Sequence, residues 1–115
     1  MNPFSAVLDG LTRVPGVRSA LVVDAVEGLV VAETSMEGID AASVAALAAS
    51  LAGRLARAVR TLGQRGPEVL HLEGAAGSLM AAPSGDELLL VAVCDADANL
   101  GLLRLALKDG RERLA

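Results

Sequence analysis

Residues 40–62, DAASVAALAASLAGRLARAVRTL, constrain the fold more than any other part of this sequence. At about 100° per residue, the period of an α-helix, its large apolar side chains fall on one stripe: Val44, Leu47, Leu51, Leu55, Val59 and Leu62. Small residues form a second stripe on roughly the opposite side: Ala42, Ala45, Ala49, Ala52, Gly53 and Ala56. Asp40 is placed to cap the start of this helix, and Gly63 is placed to end it. The pattern predicts one long helix with two apolar faces.

Two apolar faces require two neighbours. The large residues suit a helix that lies on its own sheet, whereas small residues let another backbone approach closely. We therefore predict that the small-residue stripe contacts the same helix of a second subunit. The alternative is compositional, because Ala is the best helix former and an Ala-rich helix would carry Ala on every face.

Composition narrows the class of protein. The 115 residues predict a single domain, and a hydrophobic fraction of 53% indicates either an unusually rich core or a surface shared with a partner. The net charge of −4 and the single aromatic residue, Phe4, argue against nucleic-acid binding. No apolar run reaches the ~18 residues of a membrane-spanning helix, so no membrane insertion is expected. The N-terminus does not resemble a signal peptide and Cys94 is the only cysteine, which favours a cytoplasmic location.

The rest of the chain divides into short elements at its Gly and Pro residues. Asn2 and Pro3 read as the N-cap and first residue of a helix that ends near Arg13. Five strands are predicted at residues 19–24, 29–33, 68–73, 78–82 and 87–94, and a last helix at about 97–114. The order α-β-β-α-β-β-β-α predicts an α/β (α+β) fold, in which a five-stranded antiparallel sheet lies between one long helix and two terminal helices.

Four segments in this order resemble the roadblock family, also called the roadblock and dynein-light-chain domain. They are Pro15-Gly16-Val17, LVVDAVEGLVVA at residues 21–32, the Ala-rich helix at 41–55 and ANLGLLRLALK at 98–108. The resemblance covers nearly the whole chain and implies a profilin-like sandwich that forms homodimers or heterodimers. It also implies a non-catalytic role. Bacterial members commonly accompany a small Ras-like GTPase as activator or effector platform, and eukaryotic members serve in dynein and in lysosomal scaffolds.

The resemblance implies where such a dimer would form. Family members pair their long helices and join their third strands into one continuous sheet. Carried over to this sequence, the contact includes the small-residue stripe of the helix and the strand at residues 68–73. The predicted dimer interface is therefore Ala42, Ala45, Ala49, Ala52, Gly53, Ala56, Val69, His71 and Glu73.

Residues suited to catalysis or metal binding are few. The only lysine, Lys108, does not belong to a phosphate-binding loop, and one histidine with one cysteine does not make an ordinary zinc site. We interpret His71 as a half-exposed strand residue and Cys94 as a small buried apolar residue. Asp95 and Asp97 are interpreted as caps of the last helix. The sequence predicts no catalytic residue, no metal site and no cofactor, and hence a protein that is not an enzyme.

Four arginines form a basic patch on an otherwise acidic chain: Arg54, Arg57, Arg60 and Arg65. They are either a solvated helix face or a contact for an acidic partner, and a two-fold axis would double the patch into a charged platform. We predict a non-catalytic homodimeric regulator or effector platform that binds a separately encoded small Ras-like GTPase. The alternative is a structural adaptor dimer that tethers other proteins without sensing nucleotide.

Overall fold

The computed structural model describes residues 3–114, and its elements follow the predicted order. They are α1 (Pro3–Thr12), β1 (Val17–Asp24), β2 (Val30–Ser35), α2 (Ala41–Thr61), β3 (Leu70–Gly74), β4 (Gly77–Ser84), β5 (Leu88–Asp95) and α3 (Leu100–Leu114). The strands form one antiparallel five-stranded sheet with helices on both faces, which confirms the predicted fold class. The proposed N-cap, Asn2, lies outside the described residues.

The strand order is β2-β1-β5-β4-β3. The β1–β2 hairpin and the β3–β4–β5 meander join through the pairing of β1 with β5, in which Ala20 lies opposite Ala92. β5 occupies the centre of the sheet, and its residues Leu90 and Val91 are fully buried on opposite faces. This position explains why β5 is a continuous apolar run, since both of its faces are covered.

Helices α1 and α3 cover one side of the sheet, here called the α1/α3 face. Leu11 of α1 and Leu103 and Leu107 of α3 are almost fully buried there. They pack in one cluster with Met80 and Leu90 of the sheet. The two helices also pack against each other. Large side chains from both layers therefore meet and exclude water on this face.

Helix α2 covers the other side, the α2 face, in an orientation opposite to the predicted one. Its buried residues are Ala45, Ala48 and Ala49, which belong to the small side of the helix. They pack on large sheet residues, including Leu21 and Val91. The prediction that the large stripe lies on the sheet is wrong, because the sheet already fills this layer with large side chains and leaves room only for alanines.

Both ends of α2 are capped as the sequence predicts. Asp40 Oδ1 accepts a hydrogen bond from the Ser43 backbone N–H at 3.2 Å, and Oδ2 accepts one from Ser43 Oγ at 2.8 Å. The hydroxyl of Ser43 is the main reason that the pKa of Asp40 is lowered from its usual value. Gly63 follows the helix with φ +75°, a conformation that favours glycine, and its N–H donates to the Arg60 carbonyl at 2.9 Å.

The start of α3 differs from the prediction. The helix begins at Leu100, and the side chain of Asn99 caps it by accepting from the Leu102 N–H at 3.0 Å. Asp95 instead ends β5, and its side chain lies 3.7 Å from Arg18. The interpretation of Asp95 and Asp97 as helix caps is therefore wrong.

The length and apolar composition of helix α2 can be compared with the prediction that the chain does not insert into a membrane. By length and composition alone, this 21-residue helix is apolar enough to cross a membrane, a test that core helices of soluble proteins pass as well. Serines and Arg54 still interrupt its apolar run, but the helix as a whole is more apolar than the sequence analysis took it to be. In the fold, α2 packs its alanines on the sheet and carries three arginines in its second half.

Candidate partner-binding surface

Helix α2 leaves most of its surface uncovered. Three of its 21 residues are buried. Leu47 is 52% exposed, Leu62 just after the helix is 73% exposed, and Leu51, Leu55 and Val59 are half-buried. Large apolar side chains that the sequence assigned to the core therefore face outward or sideways. Such a surface is typical of an interaction site.

Strand β3, at the edge of the sheet, carries a further exposed leucine on the same side of the sheet as α2. Leu72 lies opposite Leu79 of β4, and both Leu70 and Leu79 pack beside the residues beneath α2. Alternation along the strand puts Leu72 on the same face, where it is 38% exposed. We call Leu47, Leu51, Leu55 and Leu72 the α2–β3 surface.

The predicted helical dimer residues divide into three groups. Ala45, Ala49 and Ala52 pack against the sheet of their own chain, so their assignment to a contact with a second subunit is corrected. Gly53 and Ala56 are half-buried, and Ala42 is exposed at the start of the helix. The error has a simple cause, since small side chains allow close approach to any neighbour, including the chain's own sheet.

The three predicted residues near β3 lie at the opposite side of the edge strand. Val69 precedes the strand and packs against the cluster of the α1/α3 face. His71 is half-exposed, as predicted, and its Nε2 lies 3.0 Å from Ser78 Oγ. Glu73 is exposed. These residues share the outer rim of the sheet with Leu72 but not its face.

A cleft of about 620 Å³ opens between the second half of α2 and the β4–β5 turn. Its helical wall consists mainly of small residues, and this lack of side-chain volume creates the cleft. Arg60 on the helix and Asp86 on the turn supply a charge of each sign. The lining residues are Ala25, Ala49, Ala52, Gly53, Ala56, Arg60, Gly66, Pro67, Pro83, Gly85, Asp86, Leu88 and Leu89.

The four arginines of the predicted basic patch are all exposed. Arg54, Arg57 and Arg60 lie on α2, and Arg65 lies in the loop that follows. Within residues 3–114, the ion pairs involve other cations, namely Arg18, Lys108, Arg111 and Arg113. Because α2 itself carries no acidic residue, this end of the helix presents uncompensated positive charge to solvent.

The chemically reactive side chains have structural roles. The His71 ring joins β3 to β4 through Ser78, which is 9% exposed, and no carboxylate in residues 3–114 is hydrogen-bonded to that ring. Cys94 is 2% exposed, as predicted, and burial raises the pKa of its thiol. No group of three or more His, Cys, Asp or Glu side chains in the described part of the chain is arranged to hold a metal ion.

Sequence reasoning missed two parts of this surface. The exposure of Leu72 has a weak signal, because Leu70 and Leu72 alternate with polar residues in a strand next to several glycines. The cleft has none, since its walls come from α2 and from a turn more than 20 residues later in the chain. Only the tertiary fold brings Arg60 and Asp86 to the same opening.

Known proteins that resemble this chain share its fold. A model of the Roadblock/LC7 domain matches residues 4–93. An uncharacterized protein of Methanocaldococcus jannaschii is 33% identical over 108 residues, which is 94% of this chain and 90% of that protein. Among solved structures, MglB with a tetrameric arrangement superposes with a TM-score of 0.88 at 29% identity, covering 100% of this chain and 89% of the other. Myxococcus xanthus MglB gives a TM-score of 0.84 at 28% identity, covering 95% and 89%.

Proposed function

The chain belongs to the Roadblock/LC7 domain family, and from this premise we propose that it is a cytoplasmic, non-catalytic homodimer that binds and regulates a separately encoded small Ras-like GTPase. One observation carries the proposal. Helix α2 buries three of its 21 residues in its own chain, and it turns leucines and unpaired arginines toward solvent. A helix at the centre of the fold with so much apolar surface needs a partner to cover it.

The first partner is a second copy of the chain, bound through the α2–β3 surface. Fully burying an exposed leucine contributes roughly 1.5–3 kcal/mol, and Leu47, which is 52% exposed, would contribute about half of that when a partner covers it. Pairing β3 with its copy continues the sheet and satisfies the backbone groups at its free edge. The resemblance to the family implies the same two elements, and the tetrameric arrangement of one MglB relative is consistent with self-association.

The second partner is the GTPase, bound by the cleft and the arginines. The small residues of the cleft leave space for apolar side chains, while Arg60 at its rim attracts an acidic group. Arg54, Arg57 and Arg65 extend the positive field beyond the cleft and steer an acidic partner toward it. In the homodimer each protomer contributes one such surface.

Regulation follows if the surface prefers one nucleotide state of the GTPase. A roadblock dimer that binds one switch conformation more tightly shifts the population toward that conformation. A tenfold preference corresponds to about 1.4 kcal/mol and is enough to change the ratio of two states by the same factor. No catalytic group of this chain is required for such an effect.

The regulatory claim is tested by binding the purified chain to a small Ras-like GTPase from the same organism. The GTPase is loaded with GDP or with a non-hydrolysable GTP analogue, and calorimetry measures the two dissociation constants. We expect them to differ by about tenfold or more. Equal affinities, with no change in GTP hydrolysis, would contradict regulation and indicate the adaptor function instead.

The cleft is tested by filling it. A side chain at Gly53 has open space in the free protein, since a Cβ there meets only the tip of Arg57 at 3.5 Å. Gly53→Leu should therefore leave folding and dimerisation intact and abolish GTPase binding. Gly101→Leu, an exposed glycine of α3, is the matched control and should bind normally. Unchanged GTPase binding by Gly53→Leu would rule out the cleft as the contact.

The dimer is tested separately by sedimentation. Leu47→Asp combined with Leu72→Asp places charge in the α2–β3 surface and should give a folded monomer. Leu105→Asp, on a 66% exposed leucine of α3, is the control and should remain dimeric. A dimer that survives the double substitution would show that the two chains meet elsewhere.

A further inference from the structure

A second apolar surface lies at the other end of the sheet, on the β1–β2 hairpin. Four of the nine large hydrophobic side chains that are exposed in the described chain occur within residues 26–36. Val26 is 76% exposed, Leu29 63%, Met36 57% and Val31 45%. We call these four residues the hairpin edge. Isolated exposed apolar residues are ordinary, but a group of this density marks an interaction surface.

The backbone holds the hairpin edge in a defined shape. At the tip, Asp24 Oδ1 accepts from the backbone N–H groups of Val26 and Glu27, each at 2.9 Å. In β2, the register moves from Val22 opposite Ala32 to Val23 opposite Val30, so Val31 is the extra residue of a β-bulge. Val26 and Leu29 therefore stand on an ordered turn and Val31 on a bulge, while Met36 follows the other end of β2, where its N–H donates to the Arg18 carbonyl. A partner would not have to order this backbone on binding.

Most charged residues around the hairpin edge are acidic. The exception is Arg18, whose backbone carbonyl accepts from the Met36 N–H and whose side chain lies 3.7 Å from Asp95. The sequence between Arg18 and Arg54 contains no basic residue, but it contains five acidic ones: Asp24, Glu27, Glu33, Glu37 and Asp40. The Arg54 end of α2 has the reverse character, with unpaired arginines beside the exposed Leu62. The chain therefore carries an acidic apolar surface and a basic apolar surface that complement each other.

Within one chain the two surfaces lie on either side of the cleft. The Gly28 backbone approaches Ala46 and Ala49, and Ala25 of the hairpin turn lines the cleft together with Arg60. The acidic hairpin turn and the basic part of α2 therefore share one face of the molecule. A face that is acidic at one end and basic at the other is self-complementary when two copies meet antiparallel about a two-fold axis.

We propose that the hairpin edge docks on the arginine end of α2 in a second copy of the chain, reciprocally about a two-fold axis. This contact uses none of the α2–β3 surface, so it joins two homodimers rather than replacing them. Where the proposed function holds, the contact also covers the arginines that bind the GTPase. Self-association would then compete with GTPase binding.

The test uses two variants with opposite charge reversals. Glu27→Lys with Glu37→Lys makes both ends of the face basic, and Arg54→Glu with Arg57→Glu makes both ends acidic. Sedimentation of the full chain over increasing concentrations measures association beyond the homodimer. We expect each variant alone to associate at least about tenfold more weakly than the natural chain, and an equimolar mixture of the two to regain the affinity.

Controls separate this contact from general effects of charge. Asp9→Lys with Glu112→Lys changes the net charge equally on the α1/α3 face and should leave association unchanged. Raising NaCl from about 0.1 M to about 1 M shortens the screening length from about 10 Å to about 3 Å and should weaken the contact. A natural chain that stays at the homodimer, or a mixture that does not associate, overturns the proposal. No GTPase is present, so this outcome is independent of the test of the proposed function.

Discussion

The two faces of the sheet differ in how completely the chain covers them. On the α1/α3 face, large side chains of two helices interlock with large side chains of the sheet, and Leu103 and Leu107 are fully buried. On the α2 face, a single helix makes contact through alanines and keeps its leucines outside. The first face stabilises the monomer, whereas the second leaves apolar surface available for partners.

This difference shows that hydrophobicity alone does not decide which side of a helix is buried. The alanines of α2 pack against the sheet because Leu21 and Val91 already fill the space between the sheet and the helix. Burying alanines releases less free energy than burying leucines, at about 25 cal/mol per Å² of apolar surface. The leucines gain that free energy only when a second protein covers them.

The substitution with the largest expected effect on the α2 face is Ala45→Arg. Ala45 is fully buried between α2 and the sheet, so an arginine there must bury a charge or push the helix away from the sheet. We expect a loss of about 3 kcal/mol or more in the free energy of unfolding for Ala45→Arg, measured by urea denaturation. Ala42→Arg, at an exposed position of the same helix, is the control and should change little. A stable monomeric Ala45→Arg would restore the interpretation that this stripe faces a second subunit.

Replacing one leucine by alanine on each face of the sheet measures how much each face contributes to the stability of the monomer. Leu103→Ala removes a fully buried side chain and should cost about 3 kcal/mol at every protein concentration. Leu47→Ala removes one that is 52% exposed and should cost the monomer less than about 0.5 kcal/mol. Its effect on the melting temperature should instead depend on protein concentration, because it weakens the dimer. Equal, concentration-independent losses would show that the α2 face is as complete as the other.

A smaller effect is expected where the edge strand is fixed to the sheet. Ser78→Ala removes the partner of His71 at 3.0 Å and should cost about 1 kcal/mol. Hydrogen exchange should accelerate in β3 more than in β5. A double-mutant cycle with His71→Ala measures the coupling, and additive effects of the two substitutions would show that the hydrogen bond contributes nothing.

The smallest effect concerns pH and the start of α2. The Ser43 hydroxyl lowers the pKa of Asp40 below its value in the unfolded chain, so its contribution to stability is present at neutral pH. That contribution is lost as the pH falls below about 4 and through the lowered pKa. The melting temperatures of the natural chain and of Asp40→Ala should therefore differ at pH 7, and the difference should shrink as the pH falls through the lowered pKa of Asp40. A constant difference would mean that the carboxylate form is not what caps the helix.

Local signals made most of the fold predictable. Asp40 and Gly63 delimit α2, and the glycines between β3 and β4 mark a hairpin. The continuous apolar run of β5 predicts its central position, because only a strand covered on both faces tolerates it. Each of these signals depends on residues close in sequence, and each appears in the structure within a few residues of its predicted position.

The errors arose where a choice depends on distant residues. A helical wheel locates two apolar stripes on α2, but the side chains of β1 and β5 decide which one fits the sheet. Asp95, Asp97 and Asn99 are all suitable N-caps, and the extension of β5 through Asp95 decides in favour of Asn99. The cleft was out of reach for the same reason, since Arg60 and Asp86 belong to elements that meet only in the folded chain.

The pairing of β1 with β5 determines when this protein can fold during its synthesis. Residue 20 lies opposite residue 92, so the two parts of the sheet stay separate until β5 has left the ribosome. Contacts this far apart in sequence close slowly, since a long loop must lose its conformational freedom first. A nascent chain that stops before β5 would hold the β1–β2 hairpin and the apolar helix α2 without the central strand that joins them, and exposed apolar surface of this kind favours aggregation.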